Sequence, residues 1–287
     1  MNYRHAFHAG NFADCMKHAL LVWLLSAMQR KPTPVSVLDT HAGAGGYDLE
    51  AAPAQRTGES ADGILRLLQD TPTELAPYVN LVGRLQDSVM PEAGTEVAGL
   101  RHYPGSPELV RALLRPDDHL TCCELHPEDA AVLRRRFARD RMVAVHQRSG
   151  WEALGALLPP RHKRGLVLID PPFEATDEFD QLVRGLAAGY ARFRAGVFAA
   201  WYPIKHRTPV RQFHAALRET GIRDIVAAEF LLRPPLDAGR LNGCGLLVIN
   251  PPFRFETEGL DILNALLARL ARGMAGAEAA MIRLSDE

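Results

Sequence analysis

The stretch VLIDPPFE, residues 167–174, carries an apolar run directly into an acid, two prolines and an aromatic ring. No polar residue alternates with the apolar ones before Asp170, so the run predicts a strand buried on both faces, as in a parallel sheet. Pro171 and Pro172 end it, because each fixes φ and removes an amide donor. Working outward, comparable strands are predicted at 35–39 (VSVLD), 119–125, 141–147, 196–203, 225–232 and 245–250. Helical patterns at 127–139 and 176–193 separate some of them. Strands alternating with helices define an α/β protein with a mainly parallel sheet, in which ligands bind beyond the carboxyl ends of the strands.

The figure recurs: LLVINPPF, residues 246–253, ends another apolar run in Asn250, Pro251, Pro252 and Phe253. At most one copy is expected to be reactive. The first closes the fourth strand in chain order, which in a doubly wound sheet lies beside strand one. The second comes last, where an edge or penultimate strand is expected.

The chain has 287 residues and a formal net charge of −1, which fits one large domain or one domain with an inserted lobe. No apolar run reaches the roughly 18–20 residues of a membrane span. The opening MNYRHAFHAGNFADCMKH has histidines and an acid where a signal peptide needs an apolar core, so a cytoplasmic location is expected. Four cysteines, two of them the adjacent Cys122 and Cys123, make neither a disulfide framework nor a zinc pattern, and no metal is expected. Residues 13–29 predict a largely buried helix before strand one, placed to close over its carboxyl end. Between about 50 and 102 only helical pieces are found, around 61–69 and 73–86, so a small helical insertion is predicted on the binding edge.

Strand one runs into Asp39-Thr40-His41-Ala42-Gly43-Ala44-Gly45-Gly46. Its small residues let a ligand approach the backbone, yet it is neither GxGxxG nor a P-loop. Strand two ends at Glu124, which can accept both hydroxyl hydrogens of a ribose; the competing reading is a cap for the helix opening at Pro127. These two features suit S-adenosylmethionine as readily as NAD. The DPPF turn separates them: Asp170 and the Pro171 carbonyl can accept both hydrogens of an adenine exocyclic amine, and Phe173 can stack on the base. The amine lone pair is then free for a methyl sulfonium, with charge developing beside a carboxylate.

At this point the chain resembles the RlmJ family of bacterial 23S rRNA adenine-N6 methyltransferases. The likeness is carried by YRHAFHAGNFADCMKH at 3–18, LDTHAGAGGYDL at 38–49, RTGE at 56–59, YPGSP at 103–107, ELHPED at 124–129, KRGLVLIDPPFE at 163–174, AWYP at 200–203 and INPPF at 249–253. The resemblance implies a Rossmann-like S-adenosylmethionine-dependent sheet formed by 1–49 and 103–287, with a helical subdomain at 50–102. It also implies a 23S rRNA (adenine(2030)-N6)-methyltransferase, monomeric, acting on protein-free 23S rRNA. By position it assigns Lys17, His18, His41, Gly43, Ser106, Glu124, Ser149, Gly150 and Asp170 to the cofactor. Asp170, Pro171 and Phe173, with Tyr3 and His5 closing over the target adenine, are assigned to catalysis.

One match departs: the family's Asp-Gly after strand three is Ser149-Gly150 here. A serine accepts a hydrogen bond from the cofactor's adenine without formal charge, so Gly150, Trp151 and apolar packing are expected to share that contact. His5 and His8 also admit a packing role, and His126 is given none in catalysis. The arginines at 134, 135, 136, 139 and 141 read either as a solvated helix side or as phosphate contacts. The alternatives are a DNA adenine-N6 methyltransferase, a NAD-dependent oxidoreductase and a noncatalytic RNA-binding module.

Overall fold

The computed structural model describes residues 4–89 and 100–287, and the side chains of 87–89 are not considered. In chain order the elements are α1 (Phe12–Gln29), β1 (Ser36–Asp39), β2 (Gly46–Asp48), α2 (Ala52–Thr57), α3 (Ile64–Gln69), α4 (Ala76–Val89), β3 (His102–Pro104), α5 (Ser106–Leu113), β4 (His119–Glu124), α6 (Pro127–Arg136), β5 (Val143–Gln147), α7 (Gly150–Ala156) and β6 (Gly165–Ile169). They continue with α8 (Glu178–Arg192), β7 (Val197–Ile204), α9 (Arg207–Glu219), β8 (Ile225–Leu231), β9 (Gly243–Ile249), α10 (Phe255–Leu270) and β10 (Glu278–Ser285). Eight strands form one sheet in the order β10-β8-β9-β7-β6-β1-β4-β5.

β1 pairs in parallel with β4 on one side and β6 on the other. The chain thus leaves β1 in one direction and later returns to its opposite flank, which makes a topological switch point at the carboxyl end of β1. The strand carrying DPPF lies beside strand one, as expected.

Side-chain alternation assigns the faces. Val37, Leu166 and Leu168 pack with α1, α5 and α10, whereas Leu38, Val167 and Ile169 pack with α7, α8 and α9. Continuing that period by one step turns Asp170 toward the α1 face. Helix α1 is buried on nearly all sides, because the sheet lies under it and α4, α5 and α10 flank it. Its first turn is fixed by the Asn11 side chain, which accepts from the Asp14 amide at 2.9 Å.

The stretch between β1 and β4 is helical at the predicted places, α3 and α4. The antiparallel pair β2–β3 brings its two ends together. No helix among the described residues is long and apolar enough to cross a membrane. The cysteines are free and buried in α1, β4 and β9.

One expectation is corrected. The strand ending in NPPF is third from its edge of the sheet, neither edge nor penultimate, because β10, a strand the sequence reading omits, occupies that edge. β9 also runs antiparallel to β7, so Asn250 emerges at the opposite end of the sheet from Asp170. There its amide donates to the carbonyls of Arg194 at 2.8 Å and Gly196 at 2.7 Å, tying down the approach to β7. Asn250 has φ +52°, a conformation that asparagine tolerates better than alanine.

Asn250→Ala removes both bonds and strains the backbone, so a loss of roughly 2–4 kcal/mol in urea unfolding is expected. Asn250→Gly should recover the backbone part of that loss. Wild-type stability for the alanine variant would refute the pinning role.

Candidate active site

Beyond the carboxyl ends of β6, β1 and β4, residues 40–43 cross the switch point under backbone control. The Thr40 amide donates to the Leu168 carbonyl and the Ala42 amide to that of Cys123, both at 3.0 Å, so the loop bridges β6 and β4. The Gly43 amide then donates to Glu124 Oε2 at 2.8 Å, and the His126 amide to Oε1 at 2.7 Å. Glu124 is therefore oriented from both sides. Each oxygen retains a second acceptor position. Burial pushes this carboxyl above its ordinary range, and the two amides oppose the shift.

Two glycines are required by close packing within the site. A Cβ on Gly150 would lie 2.3 Å from the Thr40 carbonyl oxygen and 2.7 Å from the His41 ring. Gly43 has φ +60°, and a Cβ there would lie 2.3 Å from the Tyr47 hydroxyl oxygen. His41 meets Trp151 edge-on with ring centroids 5.2 Å apart, and Thr40 Oγ1 lies 2.8 Å from its Nδ1. Burial lowers the His41 pKa to about 4, so the ring is neutral at neutral pH. Ser149 is the residue before α7 and lines the same cavity.

Ser106 begins α5, and its hydroxyl donates to Asp39 Oδ2 at 2.6 Å. Asp39 is fully buried. The sequence reading used it only as a strand end, although an acid at that position facing the helix after β3 is what orients Ser106. Burial pushes the Asp39 pKa up to about 7, and the Ser106 hydrogen bond opposes the shift.

The third group joins α1 to β6. Lys17 Nζ lies 2.5 Å from Asp170 Oδ2 and 2.9 Å from Asp14 Oδ1. Burial alone would depress the lysine, but the Asp14 and Asp170 carboxylates reverse this and hold it well above its ordinary range. Burial likewise opposes ionisation of Asp14, and His5 and Lys17 outweigh it, holding that carboxyl well below its usual range. His5 Nε2 is 2.9 Å from Asp14 Oδ2, and the Gly10 amide donates to the same oxygen at 3.0 Å. Asp14 thus organises the whole opening block. Sequence reasoning missed it, and its signal was the i, i+3 spacing to Lys17 at the start of an apolar helix.

The adjacent histidine behaves differently. His18 Nδ1 is 2.7 Å from the Tyr103 hydroxyl, and the two rings stack with centroids 5.7 Å apart. Burial lowers its pKa to about 3, so it is a neutral polar contact at the cavity wall. His8 pairs with Glu59 at 3.0 Å. Tyr3 lies outside the described residues.

Pro171, Pro172 and Phe173 line the cavity beside Asp170. Phe173 has φ +50°, a costly conformation for a bulky residue. It is braced by Phe179 at 5.0 Å and Trp201 at 5.9 Å between ring centroids. Its twin Phe253 is 86 % exposed. The cavity, about 930 Å³, is lined by Glu124, Gly43, Gly150, Ser106 and Asp170 together with His5 and Lys17. That volume fits a nucleoside cofactor together with a second base.

Residues 32–282 match the model of the family described as Ribosomal RNA large subunit methyltransferase D, RlmJ. The chain belongs to this family. It is 41 % identical over 272 residues to Ribosomal RNA large subunit methyltransferase J of Escherichia coli (strain K12), covering 94 % of each chain. It is 40 % identical, with the same coverage, to the protein of that name from Haemophilus influenzae. A crystal structure of a Legionella pneumophila protein superposes with a TM-score of 0.85 at 32 % identity, covering 96 % of this chain and 98 % of that one. Family membership thus agrees with the resemblance carried by the HAGN block and the DPPF turn.

The Asp39 shift has a pH signature. As pH rises through the ordinary carboxylate range the unfolded chain loses this proton first, so the contribution to stability falls from about pH 4 to the folded value near 7 and is then constant. Asp39→Asn has no proton to lose. Its stability relative to wild type should therefore rise by on the order of 2–3 kcal/mol between pH 5 and pH 8. A pH-independent difference in chemical unfolding would refute a neutral buried Asp39.

Proposed function

We propose that the protein transfers a methyl group from S-adenosylmethionine to the exocyclic N6 amine of an adenine in 23S rRNA. The observation that carries this reading is the placement of Asp170, on a proline-locked turn, in one cavity with an oriented Glu124 and a glycine-lined loop. Membership of the RlmJ family supplies the RNA class. S-adenosylmethionine, when bound, supplies an electrophilic methyl group on a sulfonium.

The chain's own residues do the rest. Glu124 would accept hydrogen bonds from the ribose hydroxyls, and Gly43, Gly150, Ser106, His41 and Ser149 would line the cofactor's site. Lys17 and His18, assigned from the resemblance to the cofactor's methionine end, border the same space. Asp170 and the Pro171 carbonyl accept the two amine hydrogens, which fixes the direction of the nitrogen lone pair. Phe173 supports the base, and His5 closes over it.

The charge arrangement favours this chemistry. Lys17 next to Asp170 would by itself oppose a developing positive charge on the amine. Asp14, the second carboxylate on Lys17, offsets that charge. The trio retains one net negative charge where the amine becomes cationic. A proton then leaves the methylated nitrogen to water.

The segment 50–102 is read as an inserted subdomain, a reading supported by the β2–β3 pairing at its base. We further read the enzyme as a cytoplasmic monomer acting on protein-free rRNA.

Asp170→Ala should fold, because Asp14 still pairs Lys17, and should bind S-adenosylmethionine. Its methyl transfer should fall by at least ~100-fold. Asn250→Ala, for as much of it as folds, should keep near-normal turnover. The assay is transfer to deproteinised 23S rRNA, with adenine-containing DNA as comparison, followed by nucleoside analysis. Near-normal turnover by Asp170→Ala overturns the mechanism, and transfer to DNA alone favours a DNA adenine methyltransferase.

A further inference from the structure

The cavity is lined by charges of both signs. Five lysine and arginine side chains line it: Lys17, Arg66, Lys205, Arg233 and Arg240. Lys17 is held by Asp14 and Asp170, and Arg66 pairs with Asp62 at 2.5 Å. Lys205, Arg233 and Arg240 have no carboxylate partner among the described residues. None of the acids lining the cavity lies on the segments that carry Lys205, Arg233 and Arg240, and no ion pair among the described residues neutralises these three cations.

The topology explains where these cations stand. β8 and β9 are both antiparallel neighbours of one another and β9 is antiparallel to β7, so β8 runs in the same direction as β7. The loop 232–242 therefore rises from the same edge of the sheet as Asp170, next to Lys205 at the end of β7. Buried Asn242 fastens the two together: its side-chain amide donates to the carbonyls of Lys205 at 2.8 Å and Asp237 at 2.7 Å, and its own amide to that of Ile204 at 3.1 Å. The nearby Asp237 carboxylate accepts from the Gly239 amide at 2.8 Å and forms no ion pair with Arg240. Burial and the adjacent Arg240 charge lower the Arg233 pKa. Like charges held together without a counterion are costly unless an anion joins them.

We propose that the β8–β9 loop and Lys205 form the track for the RNA backbone flanking the target adenine, with Arg233, Arg240 and Lys205 on successive phosphates. This rests on the RNA methyl-transfer reading above and adds to it the side from which the strand enters. The lining carboxylates repel phosphates, so the strand runs over the ends of β7 and β8, where the unpaired cations stand. Contacts of this kind set affinity and position rather than base identity.

The test compares wild type with the double variants Arg233→Ala/Arg240→Ala and Arg233→Lys/Arg240→Lys, using deproteinised 23S rRNA. For the alanine pair the KM for RNA should rise at least ~10-fold with kcat within about twofold. Its slope of log RNA affinity against log salt should become shallower by roughly 2. S-adenosylmethionine affinity should be unchanged, and the lysine pair should recover most of the RNA affinity, since a point charge serves a phosphate. Unchanged KM and salt slope in the alanine pair, with wild-type transfer to rRNA intact, overturn the track alone. A wild-type enzyme that methylates no rRNA overturns the proposed function and the track together.

Discussion

The ammonium of Lys17 sits between two carboxylates, one on its own helix and one at the end of β6, with Nζ 2.9 Å from Asp14 and 2.5 Å from Asp170. Its side chain is almost completely buried, so its charge has little water to stabilise it. Breaking such an arrangement by removing one member is far more costly than the net value of the pair, because an uncompensated charge is left behind. Removing Lys17 would leave two carboxylates facing each other. Removing Asp170 leaves a lysine still paired. The asymmetry means that the opening segment is committed to the sheet through Lys17, whereas the Asp170 carboxylate can be examined separately.

The same contact connects the chain's beginning to the helical segment after β2. Asp14 receives the Gly10 amide and His5, and the Asn11 and His8 side chains reach Glu59 at 2.9 and 3.0 Å. The Ile64 amide donates to the Gly10 carbonyl at 2.9 Å. Residue 63 is glycine for a steric reason, since a Cβ there would lie 2.0 Å from that carbonyl oxygen. The N-terminal block therefore joins two other parts of the cavity lining, the helical segment after β2 and the end of β6, by hydrogen bonds to each.

Much of this was legible from local pattern. Continuous apolar runs mark interior strands, and β1, β4, β6, β7, β8 and β9 lie within a few residues of the predicted spans; β5 also stands at its predicted place but is an edge strand with no fully buried residue, not the buried strand expected. Glu124 and Asp170 were legible because their chemistry depends only on ending a strand at the binding edge. Asp39 was not, because what distinguishes it is a partner distant in sequence, Ser106; Asp14 had only its i, i+3 spacing to Lys17 as a local signal, and its weight comes from the distant Asp170 on the same lysine. β10 was missed for a different reason. It is an edge strand with only partly buried side chains, and half-exposed residues do not produce the apolar run that marks an interior strand.

The two PPF segments show what local pattern omits. Each follows a fully buried strand, and each has a residue with positive φ, Phe173 in one and Asn250 in the other. Composition cannot separate them. Strand direction does: β6 is parallel to β1 and delivers Asp170 to the cofactor loop, whereas β9 is antiparallel to β7 and delivers Asn250 to the other end of the sheet. The reversal at β9 has a second effect. Because β8 and β9 are joined at the edge where β6 ends, the hairpin that turns NPPF away is the same one that lifts Arg233 and Arg240 over the cavity mouth. One change of strand direction thus sends the second PPF segment to the far end of the sheet and places Arg233 and Arg240 at the end that bears the first.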